Sequence, residues 1–180
     1  HLTCICLALA PEFDAPKWDD IVENTAPLDQ VILPEPSQLA TIIYTSGSTG
    51  LPKGVMQSFG TLLAGARELQ TKYQVTEADR ALSYLPLAHV AERIFIECTL
   101  MISGFTAYFA NSIETFVEDL NRAQPTLFFS VPRLWTKFYL GINEKIPLHV
   151  QKILFKIPVL GKIVKKKLLT KLGLNKVRYA

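Results

Sequence analysis

From residue 41 onward, short runs of β-branched and aromatic residues alternate with longer stretches in which apolar positions recur every three or four residues. Thr41-Ile42-Ile43-Tyr44, Arg80 to Leu85, Phe105 to Ala110 and Leu127 to Ser130 predict strands. After Ser58, a capping residue, the apolar positions Phe59, Leu62, Leu63, Ala66, Leu69 and Tyr73 predict a helix with one buried face. Val90 to Ser103 is apolar nearly all round and stops at Gly104, which suits a helix buried between layers. Asn111 with Glu114 has the spacing of a capping box, and Ile113, Phe116, Val117 and Leu120 form the stripe of a helix that Pro125 ends. A further helix starts at Pro132 with Leu134, Trp135, Phe138 and Ile142 inward. Two amphipathic stretches, about 147–157 and 160–172, follow, and Val177 opens a last strand.

Strands alternating with helices imply an α/β fold: a mostly parallel sheet, joined by right-handed crossovers, with helices on both faces. In such sheets ligands sit outside the carboxyl ends of strands. Residues 41–57 are thus a strand leading into a loop at a ligand-facing edge. Residues 11–40 carry five of the eleven prolines and seven of the sixteen acids with little periodicity, and predict an exposed connecting segment with a short turn of helix at Trp18 to Asn24. Trp18-Asp19-Asp20 is better taken as a helix start with acids near its positive end than as a metal site.

The length of 180 residues and a hydrophobic content of 49% allow one buried core. The chain starts with His1 and stops just after an apparent strand start, so residues 1–180 are expected to be a single incomplete domain cut from a longer protein. Leu2 to Ala10 predicts a buried strand rather than a secretory leader, because no basic segment precedes it. No run of apolar residues is long enough for a membrane span. Three cysteines, Cys4, Cys6 and Cys98, lack metal-ligand spacing and point to a reduced, cytoplasmic chain.

The net charge of +3 conceals a split: residues 1–124 hold 7 Lys/Arg against 15 Asp/Glu, and residues 125–180 hold 12 against 1. The basic helical region, 145–175, suits a solvated helix packed on its own domain, with an interfacial helix at a membrane surface as the competing assignment. It lacks the interleaved aromatic residues that would favour nucleic acid.

The stretch Tyr44-Thr45-Ser46-Gly47-Ser48-Thr49-Gly50-Leu51-Pro52-Lys53-Gly54 has the composition of a phosphate-handling loop. Glycines let successive N–H groups converge on an anion, hydroxyls add donors, and Lys53 supplies the compensating charge. A Walker A loop fails on spacing, since Gly47 plus five is Pro52 and Lys53 is followed by Gly54. A hydrolase nucleophile elbow fails as well, since neither Ser46 nor Ser48 has glycines two before and two after it.

This run resembles the phosphate-binding loop of the adenylate-forming enzymes, the superfamily of acyl-CoA synthetases, luciferase and peptide-synthetase adenylation domains. Leu85-Pro86-Leu87-Ala88-His89-Val90-Ala91-Glu92-Arg93 is similar to that superfamily's next motif, and is closest to the long-chain fatty acyl-CoA synthetase branch. The resemblance implies part of the large N-terminal AMP-binding domain. It assigns catalytic roles to Lys53 and His89, and phosphate contacts to Thr45, Ser46, Gly47, Ser48, Thr49, Gly50 and Lys53. His89 would lie where the carboxylate substrate and nucleotide meet. Glu92 and Arg93 match the same branch, and either contribute to the site or make a local helix-start arrangement. Arg133, in Ser130-Val131-Pro132-Arg133, is read as a helix-terminal surface arginine.

The implied reaction is attack of a long-chain fatty carboxylate on ATP to give acyl-AMP, followed by acyl transfer to CoA. Mg²⁺ is implied too, but the family's metal-holding glutamate, its ribose-binding aspartate and its catalytic C-terminal lysine are expected outside this chain. The piece by itself is therefore expected to be inactive and prone to self-association. The alternatives are a non-catalytic nucleotide-binding module and a membrane-surface interaction module.

Overall fold

A computed structural model describes residues 14–46 and 51–180. The expected strand at Leu2 to Ala10, with Cys4 and Cys6, lies outside the described residues, as do Gly47, Ser48, Thr49 and Gly50. The chain divides into two units, His1–Pro34 and Glu35–Ala180.

In the first unit, α1 spans Trp18–Asn24 and carries Asp19 and Asp20 in its first turn. The acids meet the exposed N–H groups of the helix start, where negative charge is stabilising. At the other end Asn24 Nδ2 donates to the Asp20 carbonyl at 2.7 Å and Thr25 Oγ1 to the Ile21 carbonyl at 2.6 Å.

The second unit opens with β1 (Leu39–Ser46) and β2 (Pro52–Ser58), paired antiparallel with an irregularity between Leu39 and Thr41. α2 (Phe59–Tyr73) follows at once, its first turn held by Ser58 Oγ, which accepts the Thr61 N–H at 3.2 Å. Its buried positions are Leu62 and Ala66, whereas Phe59 and Leu63 stay more than a third exposed. Gln74, in left-handed conformation, closes the helix.

β3 (Arg80–Ser83) and β4 (Thr106–Phe109) form a parallel pair in the register Arg80 to Thr106 through Ser83 to Phe109. Their crossover is a π-helix, Glu92–Cys98, running into α3 (Thr99–Ser103), which ends at Gly104 as its sequence predicts. Thr99 bonds back to Ile94 through both its N–H and its hydroxyl, the latter at 2.6 Å. That double contact five residues apart holds the wider i to i+5 coil.

Four helices complete the unit: α4 (Phe116–Ala123), α5 (Pro132–Lys145), α6 (Leu148–Lys156) and α7 (Pro158–Lys171). α4 starts later than the Asn111–Glu114 box predicts. Ser112 and Thr115 bond each other's backbone and side chains in a local turn, and the Asn111 N–H goes to Asp119 Oδ2 at 2.9 Å. Those bonds compete with a helix over the same residues.

The expected mostly parallel sheet is not what the described residues display. They contain the β1–β2 hairpin, the β3–β4 pair and one parallel bridge, Leu127 to Tyr179. Two local causes account for the difference. The chain after β1 returns along it, so β1 pairs with its own successor. At 126–130 the N–H groups of Thr126 and Leu127 both donate to the Arg80 carbonyl, and the next one, of Phe128, goes to the Tyr179 carbonyl instead of continuing along β3.

The core forms around Leu82, Phe116, Leu120, Ala123, Phe128, Phe138 and Leu174, with a second cluster at Val75, Ala81 and Phe105. The Trp135 ring meets Phe128 and Phe138 edge-on, at 5.7 and 6.0 Å between centroids. Gly173, at φ +73, lets the chain after α7 pass directly over α4: a Cβ there would lie 2.4 Å from the Leu120 carbonyl carbon.

Candidate active site

The β1–β2 hairpin sets the first part of the site. Thr45 faces Lys53 and Ser46 faces Pro52 at its loop end, and Thr45 Oγ1 donates to the Lys53 carbonyl at 3.4 Å. Both Thr45 and Lys53 are exposed. Alternation along β1 puts Ile43, at 5% exposure, on the same face as Thr45, which is exposed where that face reaches the loop. One rung further in, Tyr44 is opposite Gly54, and a Cβ on Gly54 would fall 2.8 Å from Ile42 Cγ2 and 3.4 Å from the Tyr44 ring. Glycine there leaves room for two large neighbours on the partner strand.

The second part is the turn after β3. The His89 N–H donates to the Pro86 carbonyl at 2.8 Å, and the His89 carbonyl accepts the N–H of Glu92 at 3.0 Å. His89 Nδ1 accepts the Ala91 N–H at 3.2 Å, so the imidazole caps the start of the π-helix segment. With Nδ1 engaged as an acceptor, the neutral ring carries its proton on Nε2, on an exposed side chain.

Glu92 and Arg93 do different work and do not pair with each other. Glu92 is 3% exposed, and its carboxylate accepts the Ser83 hydroxyl at 2.5 Å and the Leu85 N–H at 3.3 Å. Arg93 donates from Nε to the Leu87 carbonyl at 3.0 Å and forms an ion pair with Glu97 at 3.1 Å. Both residues therefore tie the Leu85–His89 turn to the π-helix. Arg133 lies in the first turn of α5 and is exposed.

The hairpin and the histidine turn are linked through α2. It leaves β2 directly, and its Gly65 lies against Ile94 of the π-helix, where a Cβ would be 3.2 Å from Ile94 Cγ2. Among the described residues, Thr45 and Lys53 are brought into direct contact, while His89 makes no hydrogen bond to either.

Sequence reasoning missed two polar clusters. The sequence pattern marks Ser83 only as a strand residue, yet its hydroxyl anchors Glu92. Asp79, just before β3, accepts from Arg178 Nη2 at 2.8 Å on both oxygens, from the Thr126 hydroxyl at 2.6 Å and from the Thr76 N–H at 3.0 Å. Burial alone would push Asp79 up, but the bonds from Thr126, Thr76 and Arg178 outweigh it and hold the carboxyl below its ordinary value. The signal in the sequence was an acid immediately ahead of a strand, but its partners lie 47 and 99 residues away. Cys98 is pushed up by burial in the π-helix, with neighbouring Glu97 adding to the shift.

An apolar cavity of about 400 Å³ opens beside this region, lined by Leu69 of α2, Phe95 and Ile96 of the π-helix, Phe128, Phe129 and Trp135 among others. Among the described residues no group of three or more His, Cys, Asp or Glu side chains is placed to hold a metal ion. No described helix is long and apolar enough to cross a membrane.

Residues 3–170 match the family described as AMP-binding enzyme. Long chain acyl-CoA synthetase 5 of Arabidopsis thaliana is 33% identical over 136 residues, covering 72% of this chain and 20% of that protein. Long-chain-fatty-acid–CoA ligase 5 of Mus musculus is 32% identical over 133 residues, with 72% of this chain and 20% of that protein covered. Among solved structures, the A-PCP didomain of carboxylic acid reductase from Segniliparus rugosus in complex with AMP superposes with a TM-score of 0.59 at 30% identity, covering 84% of this chain and 21% of that one. The chain thus spans about a fifth of the length of these curated relatives.

Proposed function

The chain belongs to the AMP-binding enzyme family, and from that membership we propose that it supplies the ATP-phosphate loop and the histidine turn of a long-chain fatty acid CoA ligase. The substrates are ATP, a long-chain fatty acid and CoA. The chemistry is the formation of acyl-AMP and pyrophosphate, then transfer of the acyl group to CoA. A cytoplasmic location goes with this reading.

The observation that supports it most is the Thr45–Lys53 pair at the mouth of the hairpin. Thr45 and Lys53 are cross-strand partners there, and the sequence between them holds Gly47, Ser48, Thr49 and Gly50. Pyrophosphate is a highly charged leaving group. Donors from Thr45, Ser46, Ser48 and Thr49, with the Lys53 charge, stabilise it as negative charge develops on the β- and γ-phosphates. His89, with its Nε2 proton outward and its Nδ1 anchored, orients the attacking carboxylate by donating a hydrogen bond. A magnesium ion, when bound, neutralises phosphate charge.

Pyrophosphate release from ATP in the presence of a long-chain fatty acid, measured in the full-length protein containing these residues, tests the proposal. Lys53→Ala is expected to slow it by about 10²-fold or more, the cost of removing one charged donor from a phosphate site. Lys72→Ala, on the exposed last turn of α2, should leave it unchanged. Equal rates in wild type and Lys53→Ala would overturn the assignment. Nucleotide binding without pyrophosphate release would favour a non-catalytic binding module.

A further inference from the structure

The helices α6 and α7 carry a charge that the reaction does not use. They cross at Gly161, which is buried against the α6 backbone, where a Cβ would lie 3.1 Å from the Leu154 carbonyl oxygen. This crossing directs Leu154, Phe155, Val164 and Leu168 partly inward. The opposite face of each helix is exposed and has one composition. On α7, Val159, Lys162, Ile163 and Lys166 stand at i, i+3, i+4 and i+7, a single helical face. Val159 is 70% exposed and Ile163 57%. On α6 the same spacing brings Lys152, Ile153 and Lys156 together, with Ile153 62% exposed.

Lys162, Lys165, Lys166 and Lys176, with Asn175, also surround an open pocket of about 590 Å³. No Asp or Glu follows Glu144 in the sequence, and among the described residues none of these lysines is engaged in an ion pair. Val159 and Ile163 stand exposed among the lysines of this face. A purely apolar face would seek a core. Lysines flanking exposed aliphatic side chains at helical spacing suit a boundary where phosphate and hydrocarbon meet, with the ammonium groups reaching up to the phosphates.

We propose that this α6–α7 face docks on the surface of anionic phospholipid bilayers. Headgroup phosphates occupy the pocket between Lys162, Lys166 and Lys176, and Ile153, Val159 and Ile163 enter the acyl boundary. Charge complementarity selects this partner. Nucleic acid is disfavoured because 147–172 holds no Tyr or Trp and its one Phe, Phe155, lies under Lys165 at 5.3 Å from the ring centroid. The docking face is independent of the adenylation assignment, and its test needs no turnover.

Co-sedimentation of the 180-residue chain with vesicles of phosphatidylcholine alone and of phosphatidylcholine with phosphatidylserine tests it. Binding should require phosphatidylserine and weaken with salt, and inorganic phosphate at matched concentration should not displace it. Each of Lys162→Gln and Lys166→Gln should lower partitioning about fivefold, and Val159→Ser with Ile163→Ser about tenfold. Lys72→Gln, on α2, should change nothing. The lysine positions are exposed, so circular dichroism and melting should match wild type, and these variants decide the matter even where the double serine variant unfolds. Equal binding to neutral vesicles, displacement by inorganic phosphate, tighter binding to single-stranded RNA than to vesicles, or an equal loss in Lys72→Gln would each overturn the proposal.

Discussion

The carboxylate of Glu92 accepts the hydroxyl of Ser83 at 2.5 Å, joining the end of β3 to the start of the π-helix across the loop that holds His89. The second carboxylate oxygen takes the Leu85 N–H. Glu92 is thus a buried acid that closes the histidine turn from beneath. Removing it leaves a part-buried hydroxyl and a part-buried backbone N–H without their partner, which costs up to about 1–3 kcal/mol for each group. Glu92→Ala should therefore lower the stability of the chain by about 2 kcal/mol or more, and Glu92→Gln, which keeps one acceptor, by less. Urea unfolding of both variants beside Ser83→Ala checks this; Ser83→Ala and Glu92→Ala should be markedly non-additive because they share one bond.

Asp79 predicts a pH dependence. Its carboxyl is held below the ordinary value in the folded chain. A group of this kind contributes stability that is present above its unfolded pKa and lost as pH falls through the folded one. Stability of the wild type should be constant through neutral pH and begin to fall below about pH 4. Asp79→Asn should be less stable at neutral pH and show a shallower acid limb. Since Arg178 is 43% exposed, solvent screens its charge, and Thr126→Val should weaken the acid dependence more than Arg178→Gln does. Denaturation midpoints taken from neutral pH to pH 3 measure all three.

Gly173 offers a backbone test. Its φ of +73 disfavours any side chain, and a Cβ would meet the backbone of Leu120 and Asn121, which cannot rotate away. Gly173→Ala should destabilise by more than about 2 kcal/mol. Gly141, which has open space around its missing Cβ and sits in α5, provides the contrast. Gly141→Ala should stabilise by about 0.5–1 kcal/mol, the propensity gain of alanine in a helix interior. Thermal melts of the pair read out both signs.

The hairpin mouth can be tested without catalysis. If Thr45 and Lys53 contact phosphate, pyrophosphate should bind the 180-residue chain weakly, and Lys53→Ala should reduce that binding about tenfold, the scale of one charge-assisted contact. Calorimetric titration of wild type, Lys53→Ala and Lys137→Ala distinguishes a local contact from general attraction to a basic chain. Equal losses in the two variants would count against the site.

What the sequence by itself determined is local. The helix after Ser58, the stop at Gly104, the helix at Trp18–Asn24 and the helix beginning at Pro132 follow from caps, breakers and period, all of which act over a few residues. The motif at Tyr44 to Gly54 and that at Leu85 to Arg93 were legible for the same reason, since contiguous residues carry them and the family match spans both. Only the tertiary structure decided how the strands pair. Period and composition mark Leu127 to Ser130 as extended, but after Thr126 and Leu127 bond to the Arg80 carbonyl the Phe128 N–H turns to Tyr179. Likewise nothing in the run Ala91-Glu92-Arg93 says which charge is buried. That choice depends on Ser83 and Leu85 standing above Glu92, and on Glu97 lying one turn along from Arg93. The Asp79 cluster required Thr126 and Arg178 to be carried to β3 by the packing of α4 and the chain beyond α7. Burial decides these outcomes because a polar group away from water must find whichever partner the fold brings near, and no period of the sequence encodes that neighbour.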